Sequence, residues 1–136
     1  MKILRFVIII ALTLTVAVVE AKPLKTNKLY IFGFSASFKD SVVYVTDIQN
    51  VQNAWIESKN KFLLGRDQYS GQLKSHLSEK HNLPGRVCMV FYALKKKKAE
   101  KLYLKLMKKY KKGYEIRYLS ANEFRFEDVD MTPNDQ

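Results

Sequence analysis

Few side chains in this protein are equipped for chemistry. Its 136 residues include two histidines, His76 and His81, and one cysteine, Cys88. Imidazole and thiolate are strong ligands for borderline metals, and both act as nucleophiles or proton carriers. A single cysteine excludes an intramolecular disulfide framework and any cysteine-based zinc or iron–sulfur centre. The histidines are five apart, and Pro84 forces a helix to end near the second. They are therefore not expected to share a face, and no Asp, Glu or Cys stands beside them at ligand spacing. No metal and no cofactor is expected. A Gly-rich phosphate loop, a G-x-S-x-G elbow and an H-E-x-x-H helix are all absent. An acid/base pair would have to come from Asp47, Glu57, Asp67 or His76. Turns and caps account for these carboxylates more simply, with Asp67 a helix cap. Cys88 lies inside the apolar run Val87-Cys88-Met89-Val90-Phe91-Tyr92 and reads as an inert, buried thiol.

Charge is the second chemical feature. Lys+Arg number 24 against 13 Asp+Glu, a formal charge of +11. The excess is concentrated: residues 95–112 hold ten Lys and one Glu, whereas 113–136 hold two Arg and six acidic residues. Ala99, Leu102, Tyr103, Leu106, Met107 and Tyr110 recur at helical spacing, which predicts an amphipathic helix over about 95–111. Lys97, Lys98, Lys101, Lys105, Lys108 and Lys112 fall on the opposite face. Such a stripe suits an anionic partner: an acidic envelope polymer, phosphorylated lipid headgroups, or nucleic acid bound without specific readout. Ammonium groups attract charge without the directional fork of arginine. The competing readings are a merely solvated face, or an acidic 123–130 segment folded back against the helix. Trp55, with Tyr30, Phe32 and Tyr44, is a candidate sugar-stacking surface, set against ordinary packing of the same rings.

The elements that must position these groups follow from periodicity. Residues 1–21 read as a secretory signal peptide, with Lys2 and Arg5 ahead of the apolar run Phe6–Val19 and Val19-Glu20-Ala21 at the cleavage point. The apolar core is too short to span a bilayer. The protein is thus expected to be exported, to the periplasm or beyond, with no transmembrane segment after cleavage. Residues 22–27 read as a mobile lead, 28–126 as a single α/β domain, and 127–136 as an acidic tail. Within the domain, Lys28–Phe38 and Ser41–Asp47 form a predicted β-hairpin. Residues 48–66 fit either a short helix and loop or a small extra hairpin. A helix from Asp67 to about Lys80 follows, then a strand over Arg86–Ala93, the lysine helix, and a strand over Tyr114–Leu119. Asn122–Phe126 would add a short edge strand. The Arg86–Ala93 strand is the most apolar and is expected at the sheet centre. The fold class is α+β: a two-layer α/β sandwich in ββαβαβ order, with a four- to five-stranded mixed sheet and two helices on one face.

Val90-Phe91-Tyr92-Ala93-Leu94 through Ala99-Glu100, Leu106 and Gly113-Tyr114-Glu115-Ile116 resembles half of a SPOR domain, so that the resemblance spans 87–119. That family's pattern is a strand, an Ala-Glu-containing helix, a Gly-Tyr turn and a second strand. The resemblance implies binding to the glycan strands of peptidoglycan. As a whole the chain resembles small exported bacterial proteins, which implies a location and no activity. The combined expectation is an exported, non-enzymatic envelope interaction protein that binds an anionic or glycan polymer. The alternative is a small secreted hydrolase acting on cell-wall or nucleic-acid polymer. Export makes one direct prediction: N-terminal sequencing of the secreted protein should begin at Lys22, and an intact Met1 start on exported protein would refute cleavage after Ala21.

Overall fold

The computed structural model describes residues 22–133; the signal-peptide reading of 1–21 falls outside the described residues. Its organising strand is β2 (Leu29–Ala36), where Leu29, Ile31, Gly33 and Ser35 alternate with Phe32 and Phe34, and all six are buried. A strand buried on both faces must lie between two covering layers. One edge of β2 pairs antiparallel with β6 (Val87–Ala93), from Tyr30↔Ala93 to Ala36↔Val87. Its other edge is shared. β3 (Val42–Thr46) takes Phe34 and Ser35, and β4 (Gln49–Val51) takes Leu29 to Ile31. β7 (Glu115–Leu119) runs parallel to β3, giving a five-stranded mixed sheet. β1 (Pro23–Thr26) and β5 (Ala54–Glu57) form a second, two-stranded antiparallel sheet. With α1 (Arg66–Lys80) and α2 (Lys96–Tyr110), the class is α+β as expected.

The helices, however, lie on opposite faces rather than one. Tyr69, Leu73 and Leu77 of α1 pack in the cluster that contains Leu29, Ile31, Tyr44 and Val90. Tyr103, Leu106, Met107 and Tyr110 of α2 pack on Phe32, Phe34, Val43 and Val45, the alternate residues of the same strands. Topology explains the split. The chain passes over β2 in going from β3 to β6, then returns across the sheet from β6 to β7. Two crossovers of the same hand that travel in opposite directions cover opposite faces. The architecture is therefore a helix, a sheet and a helix, not two layers.

Five further expectations are revised. β6 is an edge strand, with Val87 and Met89 each 42% exposed. Its apolar sequence answers to a helix on each face, a demand that falls on edge and centre strands alike. Residues 22–27, read as a mobile lead, contain β1. Asn122–Phe126 adds no strand; its Phe124 and Phe126 are buried against α1 in irregular backbone. Within 48–66, β4 and β5 follow each other but pair with β2 and β1 respectively, not with one another. Gly65, not Asp67, caps α1: its φ of +74° is the left-handed region, and a Cβ there would meet Val129 Cγ1 at 2.9 Å.

The tightest point of the core is Gly33. On the edge it shares between β3 and β4, β2 has no ladder partner at Phe32 and Gly33, and the Gly33 N–H donates instead to Thr46 Oγ1 at 2.8 Å. A Cβ on Gly33 would stand 2.7 Å from Leu73 Cδ2 and 3.1 Å from Phe126 Cζ. Gly33→Ala should therefore cost about 1–3 kcal/mol of stability in urea unfolding. Combined with Leu73→Ala, which alone should cost about 2–5 kcal/mol, the double variant should be less destabilised than the two added together, because the clash partner is gone. Strict additivity would refute this account of Gly33.

Candidate functional site

α2 begins at Lys95 without a side-chain cap, and its inner face is set by Ala99, fully buried, and by Tyr103, Leu106, Met107 and Tyr110. Tyr103 meets Phe32 edge-on at 5.3 Å between centroids, and Tyr110 meets Phe34 at 4.7 Å. Leu102, expected on this face, lies at its margin, and Leu104 is 66% exposed. Lys97, Lys98, Lys101, Lys105, Lys108 and Lys112 are all exposed. Among the described residues the ion pairs are Arg86 with Asp40 and Arg117 with Glu115, and Glu123 stands beside His76 and His81; none of these contacts involves a lysine of α2.

The acidic C-terminal segment does not fold back on these lysines. It runs along α1, across the sheet from α2. Two glutamine side chains hold it there as a neighbouring strand would. Gln49, buried, donates to Phe124 O and accepts from Phe126 N, each at 2.8 Å. Gln72 does the same with the carbonyl and N–H of Glu127, each at 2.9 Å. Tyr69 OH accepts from Val129 N at 3.2 Å. The lysine face of α2 and the acidic segment thus lie on opposite sides of the sheet. At the open edge of β6, Tyr92, Ala93 and Leu102 line a groove of about 360 Å³ rimmed by Lys98, Lys101 and Lys105.

The aromatic platform proposed around Trp55 is not assembled. Phe32 is buried beneath α2 and Tyr44 lies on the α1 side, while Trp55 sits half-buried in β5 with Lys25 Nζ 5.2 Å from its ring centroid. Nor do the acid/base candidates share a cleft. Asp67 and His76 are nine residues apart on α1, about 13 Å along its axis. Glu57 belongs to the second sheet, and the Asp47 carboxylate accepts from Ala121 N at 3.0 Å. A larger cleft of about 580 Å³ lies between the β4–β5 turn and the C-terminal segment. Its amides are occupied within the fold, for Asn50 Nδ2 donates to Asn27 O and Leu29 O, and Asn53 N donates to Asn27 Oδ1.

One constellation escaped the sequence reading. His81 is the C-cap of α1, its N–H bonded to Leu77 O, and Asn82 follows in the left-handed region at φ 54°. That tight ending turns the His81 ring back towards His76, with 5.4 Å between centroids. The turn after β7, where Glu123 N bonds to Ser120 O, delivers Glu123 to both. His81 Nε2 is 2.9 Å from Glu123 Oε1, and His76 Nε2 is 3.9 Å from Oε2. The expectations that the histidines stay apart and that no carboxylate joins them are therefore overturned. One donor atom from each of the three residues lies within 4.8 Å of the others. The trio's third member is 42 positions beyond His81, so no local spacing signals it. The only hint is that Phe124 and Phe126 must bury themselves, which drags Glu123 onto α1.

Buried Arg86 forms a separate polar group with Cys88; the cysteine, expected to be buried, is only partly so. Arg86, 4% exposed, donates to Ser35 Oγ at 3.1 Å and to Val42 O at 2.6 Å, and stacks 4.9 Å from the Tyr44 ring centroid. It ties the start of β6 to the β2–β3 hairpin. Cys88 Sγ donates to Ser35 Oγ at 3.4 Å, and burial pushes the thiol above its ordinary pKa, with Ser35 and Arg86 offsetting this in part. No family model, no curated protein and no solved structure matches this chain.

Burial favours the neutral thiol, so the thiolate fraction of Cys88 near neutral pH is smaller than that of free cysteine. Its stabilising contribution is complete below the unfolded-state pKa and is lost as pH rises through the folded one. Alkylation by iodoacetamide should be slower than for free cysteine near neutral pH. Its rate should rise with pH through a midpoint above that of the free amino acid. A midpoint at or below the free value would contradict the inert reading.

Proposed function

We propose that the protein is exported and acts without catalysis, as an envelope interaction protein that binds an anionic polymer or anionic lipid headgroups through the lysine face of α2. The observation that carries this reading is the set of six exposed lysines, none of which makes an ion pair among the described residues. Intramolecular neutralisation of that face would have argued for a purely structural role. A stripe of unpaired ammonium groups on one rigid helix holds a positive potential that a flexible polyanion can follow without register. The neighbouring groove at the β6 edge adds apolar contact beside the charge.

Glycan-strand binding, as implied by the SPOR resemblance, is the second reading. It is favoured by the strand–helix–strand order of β6, α2 and β7 across residues 87–119. A hydrolytic role lacks support from the scattered positions of Asp47, Glu57 and Asp67.

The test mixes purified protein with phosphatidylglycerol-containing vesicles, peptidoglycan sacculi and DNA at low and high salt. Binding should fall steeply as salt rises. The triple variant Lys101→Glu, Lys105→Glu, Lys108→Glu should bind at least about a hundredfold more weakly, since each lysine near an anionic surface contributes about 1 kcal/mol. Salt-independent binding to sacculi, unaffected by the triple variant, would favour the glycan reading. Turnover of any of these polymers would refute the non-enzymatic role.

A further inference from the structure

We propose that His76, His81 and Glu123 together bind one divalent transition-metal ion of the zinc class, with a remaining coordination position facing solvent. The donor set is chemically apt, because two imidazoles and a carboxylate are the ligands that a borderline ion such as zinc(II) accepts. The geometry is close to what such an ion requires. Bonds of about 2.0–2.1 Å in a tetrahedral arrangement hold ligand atoms about 3.4 Å apart. Here His81 Nε2 stands 2.9 Å from Glu123 Oε1 and His76 Nε2 3.9 Å from the other carboxylate oxygen, Oε2, on either side of that spacing, and one donor atom from each residue lies within 4.8 Å of the others.

A second observation points independently to a ligand. His76 Nε2 is buried and has no hydrogen-bond partner among the described residues. A buried polar nitrogen left unpaired costs about 1–3 kcal/mol, and native folds rarely tolerate it. Coordination through its lone pair would remove that cost. The ring is also pre-positioned, wedged between Phe124 at 5.0 Å and His81 at 5.4 Å between centroids. Tyr44 meets the His81 ring edge-on at 5.8 Å, so the second imidazole is held as well. Glu123 is the exposed member, with its side chain 41% accessible, and it leaves the outer side of the site open.

Such an ion would join the last turn of α1 to the turn after β7. It would therefore stabilise the docking of residues 120–126, which is otherwise maintained by Gln49, Phe124 and Phe126. Because the site is on the α1 side, it is independent of the lysine face.

Calorimetric titration of zinc(II) into the untagged protein, with cobalt(II) as a spectroscopic substitute, tests the proposal. The expected result is one ion per chain, the intense visible absorption of four-coordinate cobalt(II), and a rise in Tm with added zinc. Glu123→Gln and His81→Ala, both at accessible positions, should each weaken binding by at least about tenfold and abolish the zinc-dependent rise in Tm. Glu127→Gln, a carboxylate outside the trio, should change neither. Absence of saturable binding, or equal binding by the Glu123→Gln and His81→Ala variants, would overturn the site.

Discussion

β2 is covered by a helix on each face and bonded to a strand along each edge, and the rest of the protein is arranged around meeting those four demands. Its even-numbered aromatics, Phe32 and Phe34, receive the inner face of α2, and its odd-numbered residues receive α1. Room for α1 exists because residue 33 has no side chain: Leu73 occupies the space where a Cβ would project. The shared edge carries a gap between β3 and β4, and the Thr46 hydroxyl fills it by accepting the Gly33 N–H and donating to Asp47 O at 2.9 Å. Buried backbone groups must find partners, and here a side chain supplies what the interrupted ladder does not. Arg86 performs a comparable task at the other end of β2, where Ser35 and Val42 O accept from its guanidinium.

The opposed helices also determine the electrostatics. A lysine-rich helix on one face and an acidic segment on the other cannot neutralise each other across an apolar sheet. Gln49 and Gln72 hold the acidic segment to α1 through paired amide bonds to its backbone, without committing its carboxylates. Docking by backbone and by buried phenylalanines leaves Glu127 and Asp128 exposed, and leaves Glu123 available to the two histidines. The separation of charge and the gathering of His76, His81 and Glu123 are thus two consequences of one packing decision.

Much of the local structure was legible because periodicity reports burial directly. Ala99, Tyr103, Leu106, Met107 and Tyr110 announced α2 and its inner face, and the same spacing placed the six lysines outside. Tyr69, Leu73 and Leu77 did likewise for α1. The β2–β3 hairpin was readable from its aromatic and β-branched runs joined by a short polar turn. What misled was the apolarity of Val87–Ala93, which reflects cover above and below and says nothing about which edge is paired. The histidine pair misled for a different reason. Helical spacing treats residues five apart as divergent, but His81 stands in the C-cap, where the backbone leaves the helix and re-aims the ring.

The sequence by itself determined the β2–β3 hairpin, both helices, β6 and β7, the order of these elements, the concentration of positive charge on one helix, and the shortage of chemically capable side chains. These are properties of nearest neighbours and of period, and they need no knowledge of what lies across the core. Tertiary structure alone decided that the helices take opposite faces, that β6 is an edge, that the acidic segment lies far from the lysines, and that Glu123 meets His76 and His81. Each of these depends on the direction of a crossover or on the docking of a distant segment. Such choices are made by burial of Phe124, Phe126 and Leu73 against a shared strand, and they leave no trace in local spacing.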